Sequence, residues 1–121
     1  MALCSDATVH NEELVGDPTE GALIVLAAKG GLDVAGTRRE YPRLAVVPFD
    51  SAYKFMATFH HVTNSAGDPV VRCYVKGAPD VIARLSQDVQ AGPGQFMPMA
   101  DLADLISDLN NDLAGEGLRV L

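Results

Sequence analysis

Two lysines and a phenylalanine have the types and the spacing to bind a flat, negatively charged ligand. Phe49, Lys54 and Lys76 lie at or near the ends of three strand-like apolar runs. Sequential strands joined by short loops pair antiparallel, so the end of the first, the start of the second and the end of the third share one sheet edge. Like charges that face each other across two strands cost up to about 1 kcal/mol. A flat, negatively charged ligand between the two ammonium groups, beside the ring, would explain why the sequence accepts this repulsion.

The same three residues also have a purely structural explanation. Phe49 could cap the hydrophobic core, and lysines at a strand edge discourage edge-to-edge aggregation. Spacing alone favours this explanation, because spacing does not fix the register of the strands.

The elements that must position these residues indicate an α+β fold, a twisted antiparallel sheet flanked by helices, in a single domain over residues 1–121. Runs rich in Val, Phe and Tyr and bounded by turn residues are predicted as strands. They cover Arg43–Phe49, Tyr53–Val62 and Val70–Lys76. Residues 1–16 are expected to be mostly irregular, with at most one short strand.

A helix is predicted within residues 16–31, with Asp17 as N-cap, Pro18 at the first position and Gly30 at its end. Because its middle is apolar all round, we expect it to be deeply packed.

The other helices are predicted from their apolar spacing. A short one begins at Pro79, and the last covers about Met99–Ala114. Residues 34–42 are predicted as a polar connection with at most a helical turn. Residues 86–98 are predicted as a Gly/Pro loop and 118–121 as the start of a strand.

Composition restricts the possible partners. The 121 residues carry a net charge of −7, which disfavours nucleic acids and acidic lipid surfaces. The longest apolar run, Ala22–Ala28, is far shorter than a membrane span. Cys4 and Cys73 lack metal-type spacing and are expected to be two reduced thiols. The three histidines show no ligand spacing, and His60 and His61 are expected on opposite sheet faces.

Four ordered segments carry a resemblance to a known family. They are GDPTEGAL (16–23), PFDSAYKFM (48–56), VKGAPD (75–80) and GEGLRVL (115–121). In this order and spacing they resemble the nucleotide-binding domain of P-type cation-transporting ATPases, and above all the calcium and sodium/potassium pump branch. The resemblance covers nearly the whole chain.

The resemblance implies a domain that holds the adenine of ATP and presents the γ-phosphate to an aspartate elsewhere in the same polypeptide. Phe49 would stack on the adenine, Lys76 would line the same pocket, and Lys54 would lie near the base or the phosphates. Stacking of an aromatic ring on a base is worth about 1–3 kcal/mol. Lysine suits phosphate as a compact point charge.

Three further residues are implied to contact ATP. Gly77 would let the nucleotide approach the backbone closely, and Arg119 would reach the phosphates unless it is an ordinary surface arginine. Glu20 would make a polar contact at the adenine end. A capping box with Asp17 would explain Glu20 equally well.

The resemblance further implies an ATP-driven cation pump that uses ATP as its magnesium complex. Its partners would be the phosphorylation and actuator domains of the same polypeptide, and the domain would be cytoplasmic, without direct membrane contact. The phosphorylated Asp-Lys-Thr-Gly-Thr segment does not occur in these residues, so we expect ATP binding without turnover and assign no catalytic or metal-ligating residue. Tyr53 stands where family members carry a basic residue, so one positive charge near the phosphates is missing. The motifs do not identify the transported ion. Calcium is the best guess from the similarity of the motifs.

A non-catalytic protein-interaction module with an α+β fold is the competing hypothesis. It predicts an exposed apolar patch and no aromatic pocket flanked by lysines.

Overall fold

Helices and short antiparallel sheets alternate along the chain. The computed structural model describes residues 1–10 and 13–121, except for the side chain of His10. The expectation that His10 is not a metal ligand therefore lies outside the described part of the chain. In chain order the described elements are β1 (Thr8–His10), β2 (Glu13–Val15), α1 (Pro18–Lys29), α2 (Val34–Glu40), β3 (Arg43–Asp50), β4 (Phe55–Thr63), β5 (Pro69–Gly77), α3 (Pro79–Leu85), β6 (Asp88–Gly92), β7 (Gln95–Pro98), a 3-10 turn (Met99–Asp101) and α4 (Ala103–Gly115).

The strands form three small antiparallel sheets, ordered β1-β2, β3-β4-β5 and β6-β7. The α+β prediction is confirmed, and the central meander is the sheet predicted from the three apolar runs.

The chain divides into two compact units. The first contains Met1–Phe49 and Met56–Val75, and the second contains Asp50–Phe55 and Lys76–Leu121. The expectation of one domain over residues 1–121 stays a prediction.

The core of the first unit is formed by the N-terminal residues and the middle of β4. Its buried apolar side chains are Ala2, Leu3, Cys4, Ala7, Ile24, Met56, Ala57 and Val62. Among the described side chains, Ser5, Thr58 and His60 are the buried polar ones. His60 lies inside while His61 is exposed, so the prediction of opposite faces is confirmed.

The ends of α1 follow from its capping residues. At the start, the Asp17 carboxylate accepts hydrogen bonds from the backbone amides of Thr19 and Glu20. At the end, the amide of Gly30 donates to the carbonyl of Leu26. The predicted start and end of this helix are confirmed.

The expectation that α1 is deeply packed is wrong. Only Gly21 and Ile24 are buried, whereas Val25 and Leu26 are 45% and 54% exposed. The helix packs against β1, β2 and α2 on one side, and its other apolar side is uncovered within the described residues.

The connection after α1 is more ordered than predicted. Residues Val34–Glu40 form a two-turn helix because Asp33 caps it, with Oδ1 accepting from the amide of Gly36 at 2.9 Å. Residues 1–16 likewise hold two short strands rather than one, paired from Thr8↔Val15 to His10↔Glu13.

The second unit corrects two further predictions. Residues 86–98 form the β6-β7 hairpin instead of a loop, because Gly94 with φ 71° supplies the left-handed turn conformation next to Pro93. A register shift between Gln90 and Gly92 breaks the alternation of side chains that would have indicated a strand. Residues 118–121 form no strand.

The predicted helices of the second unit are confirmed, with one difference. The last predicted helix begins with a 3-10 turn and is interrupted at Leu102, whose φ of −117° departs from the usual helical value of about −63°. It then continues as α4, which packs against α3. No helix among residues 1–10 and 13–121 combines the length and the apolar character that crossing a bilayer requires.

The two thiols should differ sharply in reactivity. Cys4 is buried with its Sγ directed at the carbonyl of Met56, whereas Cys73 is exposed, and the two are not bonded to each other. Partial burial raises the pKa of Cys73, and the neighbouring Cys4 raises this pKa further. We therefore expect iodoacetamide to label one thiol per folded chain, slowly at pH 7.5 and faster as the pH rises, as measured by mass spectrometry.

Cys73→Ser is the control for this labelling, because it should abolish the reaction until urea exposes Cys4. Equal labelling of both thiols in the folded chain would contradict the burial of Cys4.

Candidate functional site

Lys54 lies in the turn between β3 and β4, not on β4 as predicted. The amide of Lys54 donates to the carbonyl of Asp50 at 2.7 Å, and the Asp50 carboxylate accepts from the amide of Ala52 at 2.7 Å. These bonds close the turn tightly enough to give Lys54 a φ of 56°. It is the one residue other than glycine with a left-handed backbone in the described part of the chain. Such a conformation costs about 1–2 kcal/mol. It places an exposed lysine at the end of the turn, next to the first residue of β4.

The end of β5 packs directly onto this turn. The amide of Ala78 donates to the carbonyl oxygen of Lys54 at 3.1 Å. Gly77 is buried, and a Cβ built on it would lie 2.4 Å from the Lys54 carbonyl oxygen and 2.7 Å from the Cβ of Phe55. Only glycine fits this approach without a backbone shift. The residue after Lys76 therefore touches the backbone of Lys54.

The structure thus brings the backbones of Lys54 and Lys76 to one place, although the predicted pairing of two strand residues is wrong. The Lys54 side chain is exposed and the Lys76 side chain is half-buried. Both belong to the second unit, with Gly77.

Phe49 is the second-last residue of β3 and belongs to the first unit. Its ring is 56% exposed, which contradicts a role as a cap of the core. The predicted proximity of Phe49 to the two lysines stays a prediction.

A concave surface of about 440 Å³ surrounds Lys54 within the second unit. Tyr53, Phe55 and Arg84 also line it, and the rings of Tyr53 and Phe55 lie 4.9 Å apart. Arg84 forms an exposed ion pair with Asp80 one helical turn away, at 3.2 Å. Sequence reasoning missed Arg84, although its position one turn after Asp80 in the short helix after VKGAPD marked it as a surface cation near the site. It places a second positive charge in this concavity, where Tyr53 supplies none.

Glu20 anchors the N-terminal residues. Its Oε2 accepts from the backbone amides of Asp6 and Ala7 at 2.6 and 3.1 Å and from the hydroxyl of Ser5 at 3.3 Å. Asp17 supplies the helix cap independently. Glu20 therefore has a structural role of its own, which neither the capping-box explanation nor the resemblance anticipated.

Two arginines donate hydrogen bonds to backbone carbonyls of the same N-terminal residues. Neither arginine was predicted from the sequence. Arg38 of α2 donates through three nitrogens to the carbonyls of Ala2, Ser5 and Ala7 at 2.9–3.0 Å. Arg43, the first residue of β3, donates to the carbonyls of Leu3 and Ser5 and forms a 2.6 Å ion pair with Asp6. No local pattern marks partners separated by 31–40 residues, so only the structure reveals them.

The remaining predicted residue, Arg119, is exposed and lies in neither a helix nor a strand. Within the described residues, no group of three His, Cys, Asp or Glu side chains is arranged to hold a metal ion.

Comparisons with known proteins define the family. The family model for the P-type ATPase cytoplasmic domain N matches residues 1–121. The chain therefore belongs to the P-type ATPases, as their cytoplasmic N domain.

Curated relatives agree over almost the whole chain. The cation-transporting ATPase pma1 of Synechocystis is 36% identical over 98% of this chain, and the human calcium-transporting ATPase type 2C member 1 is 37% identical over 98%. The calcium-transporting ATPase 1 of Lactococcus lactis is 38% identical over 100%. The chain spans only 13% of the length of each of these relatives.

Replacing Gly77 should test the close approach at this site. We expect Gly77→Ala to lower the free energy of unfolding by about 1–3 kcal/mol, because its Cβ meets rigid backbone. Urea unfolding followed by circular dichroism measures the change.

Gly115→Ala at the end of α4 is the matched control. No atom lies within 4 Å of its added Cβ, so this variant should be neutral or stabilised by up to about 1 kcal/mol. Equal unfolding midpoints for the two variants would show that the contact at Gly77 is not tight.

Proposed function

We propose that this chain is the ATP-binding domain of a cation-transporting pump, which holds the adenine and presents the γ-phosphate to an aspartate in the phosphorylation domain. The observation that carries the proposal is the match of the whole chain to domain N of the P-type ATPases. The exposed ring of Phe49 and the concave surface around Lys54 support it.

The adenine stacks on Phe49 in this proposal. An exposed phenylalanine at a strand end costs hydrophobic free energy unless a ligand covers it. A flat purine can cover it, and the aromatic face accepts any base, so Phe49 supplies affinity rather than selectivity.

Lys54, Lys76 and Arg119 contact the phosphates or the base edge. Partly solvated lysines interact with phosphates through screened charges, so each contributes modestly. Arg84 adds a further cation near Lys54. Gly77 contributes by allowing the chain after Lys76 to pack against the backbone of Lys54 and Phe55, where a Cβ would collide.

Glu20 makes a polar contact with the adenine end in addition to its bonds with Ser5, Asp6 and Ala7. The two roles are compatible because a carboxylate has about four lone-pair directions on two oxygens.

ATP binds as its magnesium complex, whose phosphates carry the metal. The sequence contains no Asp-Lys-Thr-Gly-Thr segment, so we expect these residues to bind ATP without turnover. The enzymatic cycle requires the phosphorylation and actuator domains of the same polypeptide, and the domain works on the cytoplasmic side of an integral membrane protein. Calcium is the proposed cargo, since several relatives are calcium-transporting ATPases.

One observation also favours the competing hypothesis of a protein-interaction module. An apolar groove of about 760 Å³ lies within the first unit, lined by residues of β1, α1 and α2, among them the exposed Val9 and Val25. Exposed apolar surface of this kind is typical of docking sites. An ATP titration separates the two hypotheses, because docking through this groove requires no nucleotide.

Phe49→Ala should remove most of the affinity for ATP. We expect the parent chain to bind with a dissociation constant in the millimolar range, or about −4 kcal/mol. Loss of the stacking ring costs about 1–3 kcal/mol and should raise that constant roughly 5- to 150-fold. Amide chemical shifts in an NMR titration with magnesium-ATP measure both values.

Phe96→Ala is the matched control, because Phe96 is a similarly exposed phenylalanine, 66% exposed on β7. It should bind ATP as the parent does. Resonances near Phe49 and Lys76 that stay unmoved at several millimolar ATP would overturn the proposed function.

A further inference from the structure

Two cations share the concave surface around Lys54, and no acid lies among the described residues that line it. Its charged residues are Lys54 and Arg84, and the others are Ala52, Tyr53, Phe55, Val81 and Leu85. The chain as a whole has 16 acidic and 9 basic residues, so this surface runs against the net charge of −7. A concavity lined by charges of one sign concentrates counter-ions from solution. The surface is therefore suited to an anion.

Helix α3 connects the two cations, because it starts at the backbone of Lys54. Its N-cap residue, Ala78, donates its amide to the carbonyl oxygen of Lys54 at 3.1 Å. Arg84 lies in the last turn of the helix, about 9 Å from Ala78 along the axis of a regular helix. Side chains on a helix lean towards its N-terminus. The arginine side chain therefore extends back along α3 in the direction of Lys54.

The ion pair of Arg84 shows how far this side chain reaches. Its Nη1 lies 3.2 Å from Oδ2 of Asp80, which belongs to the first turn of α3. The guanidinium thus lies beside the first turn, close to the N-cap residue that bonds to Lys54. One polyvalent anion can therefore contact both cations.

The pair between Arg84 and Asp80 is of a kind that a stronger anion can replace. The two side chains are 68% and 57% exposed, and exposed ion pairs are weak because water solvates both groups. The recorded contact uses Nη1 alone, although a guanidinium has five N–H donors and can bind an oxyanion through two parallel bonds. A terminal phosphate group offers more charge than a carboxylate and three acceptor oxygens.

We propose that Arg84 exchanges its contact with Asp80 for the phosphate chain of ATP, and that Asp80 is an internal competitor which holds the guanidinium when no nucleotide is bound. This inference rests on the proposed function, in which Lys54 contacts the phosphates. Arg84 then supplies the second cation of the phosphate site, and every ATP molecule that binds there displaces the Asp80 carboxylate.

A pair that only stabilises α3 is the competing explanation, since opposite charges four residues apart support a helix. Loss of either partner would then affect the helix in the same way, and both changes would alter ATP binding in the same direction. The exchange instead predicts opposite effects. Removal of the arginine weakens ATP binding, and removal of the competing carboxylate strengthens it.

The test is an NMR titration of the whole chain with magnesium-ATP at about 0.15 M salt, where long-range charge effects are screened. Arg84→Gln should raise the dissociation constant about three- to tenfold, because a charge-assisted but partly solvated contact is lost. Asp80→Asn should lower the constant about two- to fourfold, because an exposed ion pair no longer competes. In the parent, the Nε–Hε resonance of Arg84 should move as ATP is added.

Adenosine distinguishes phosphate binding from a general effect on the domain, because it lacks the phosphate chain. At one fixed concentration it should cause the same shift changes near Phe49 in the parent and in Arg84→Gln. It should also leave the Nε–Hε resonance of Arg84 in place. A merely structural role of Arg84 would change the responses to ATP and to adenosine together.

The double variant isolates the competition. Once Arg84→Gln is in place, adding Asp80→Asn should improve ATP binding by less than about 1.5-fold, because the carboxylate no longer has an arginine to hold. The same gain with and without Arg84 would mean that Asp80 merely repels the phosphates, and would overturn the exchange.

Two matched controls test the change of net charge. Arg39→Gln removes an exposed arginine of α2, and Asp108→Asn removes the charge of an exposed aspartate of α4. Neither residue lines the concave surface. Each control should change the dissociation constant for ATP by less than about 1.5-fold, because screening weakens distant charges.

Urea unfolding establishes that each variant is folded at the titration temperature. If Arg84→Gln is unfolded there, Arg84→Lys replaces it, because lysine keeps the charge and loses the two parallel bonds. It should weaken ATP binding about two- to threefold and leave the response to adenosine unchanged.

The outcomes separate the two proposals. A parent chain whose resonances do not respond to ATP overturns the proposed function and this inference together. The exchange alone is overturned if the parent binds ATP but Arg84→Gln binds it equally well. An Arg84 resonance that stays in place, or an Asp80→Asn variant that binds ATP no more tightly than the parent, would also overturn the exchange alone.

Discussion

Burial of the backbone of residues 2–7, here called the N-terminal arch, is the constraint on which the first unit depends. Five of these six residues are buried without belonging to a helix or a strand, so their polar groups need partners from elsewhere. Glu20 on α1, Arg38 on α2 and Arg43 on β3 supply them. The arch in turn bonds to β4, where Thr58 donates to the carbonyl of Leu3 and Cys4 approaches the carbonyl of Met56. One irregular segment thereby links two helices and two strands of the central sheet.

The strength of this link lies in several hydrogen bonds to the backbone rather than in any single ion pair. The Arg43–Asp6 pair is short, but the side chain of Asp6 is 63% exposed, and exposed ion pairs contribute about 0–1 kcal/mol. Removing Arg38 would instead take a donor away from the carbonyls of Ala2, Ser5 and Ala7, and a buried carbonyl left unpaired costs about 1–3 kcal/mol. Charge serves here mainly to supply many donors from one side chain.

In the second unit, the close contact at Gly77 is made between backbone atoms. In the first unit, side chains from other elements bond to the backbone of the arch. At Gly77 the chain approaches Lys54 so closely that no Cβ fits, and the turn accepts a left-handed lysine. A lysine in this conformation has a cost that an asparagine or a glycine would largely avoid. Under the proposed function, a contact of the exposed ammonium group with phosphate would offset this cost.

Features set by neighbouring residues could be predicted from the sequence, and features set by distant ones could not. The cap and end of α1, the central strands and the start of α3 at Pro79 follow from local capping, alternation and turn residues. The α2 helix was missed because its polar sequence has no apolar face, although Asp33 could have indicated its cap. The β6-β7 hairpin was missed because its bulge disrupts alternation and its turn carries Pro and Gly.

The candidate site shows the same division. Lys54, Lys76 and Gly77 were found because they lie in short motifs, and their adjacency at one edge follows from the meander. The position of Lys54 in the turn was not foreseen, because the Asp50 bonds that tighten the turn shift the start of β4 by two residues. Arg38 and Arg43 were missed because their partners lie more than 30 residues away in the chain.

The long sequence separation within the arch also bears on how the chain folds. Its hydrogen bonds to the two arginines close loops of 31–40 residues. Closing such a loop costs conformational entropy of the chain before the hydrogen bonds contribute favourable free energy. At about 5–20 residues per second, a ribosome takes a few seconds to add the residues that separate the arch from Arg43. Throughout that interval the carbonyls of the arch lack the donor groups of Arg43, so their pairing with that side chain belongs to the later steps of assembly.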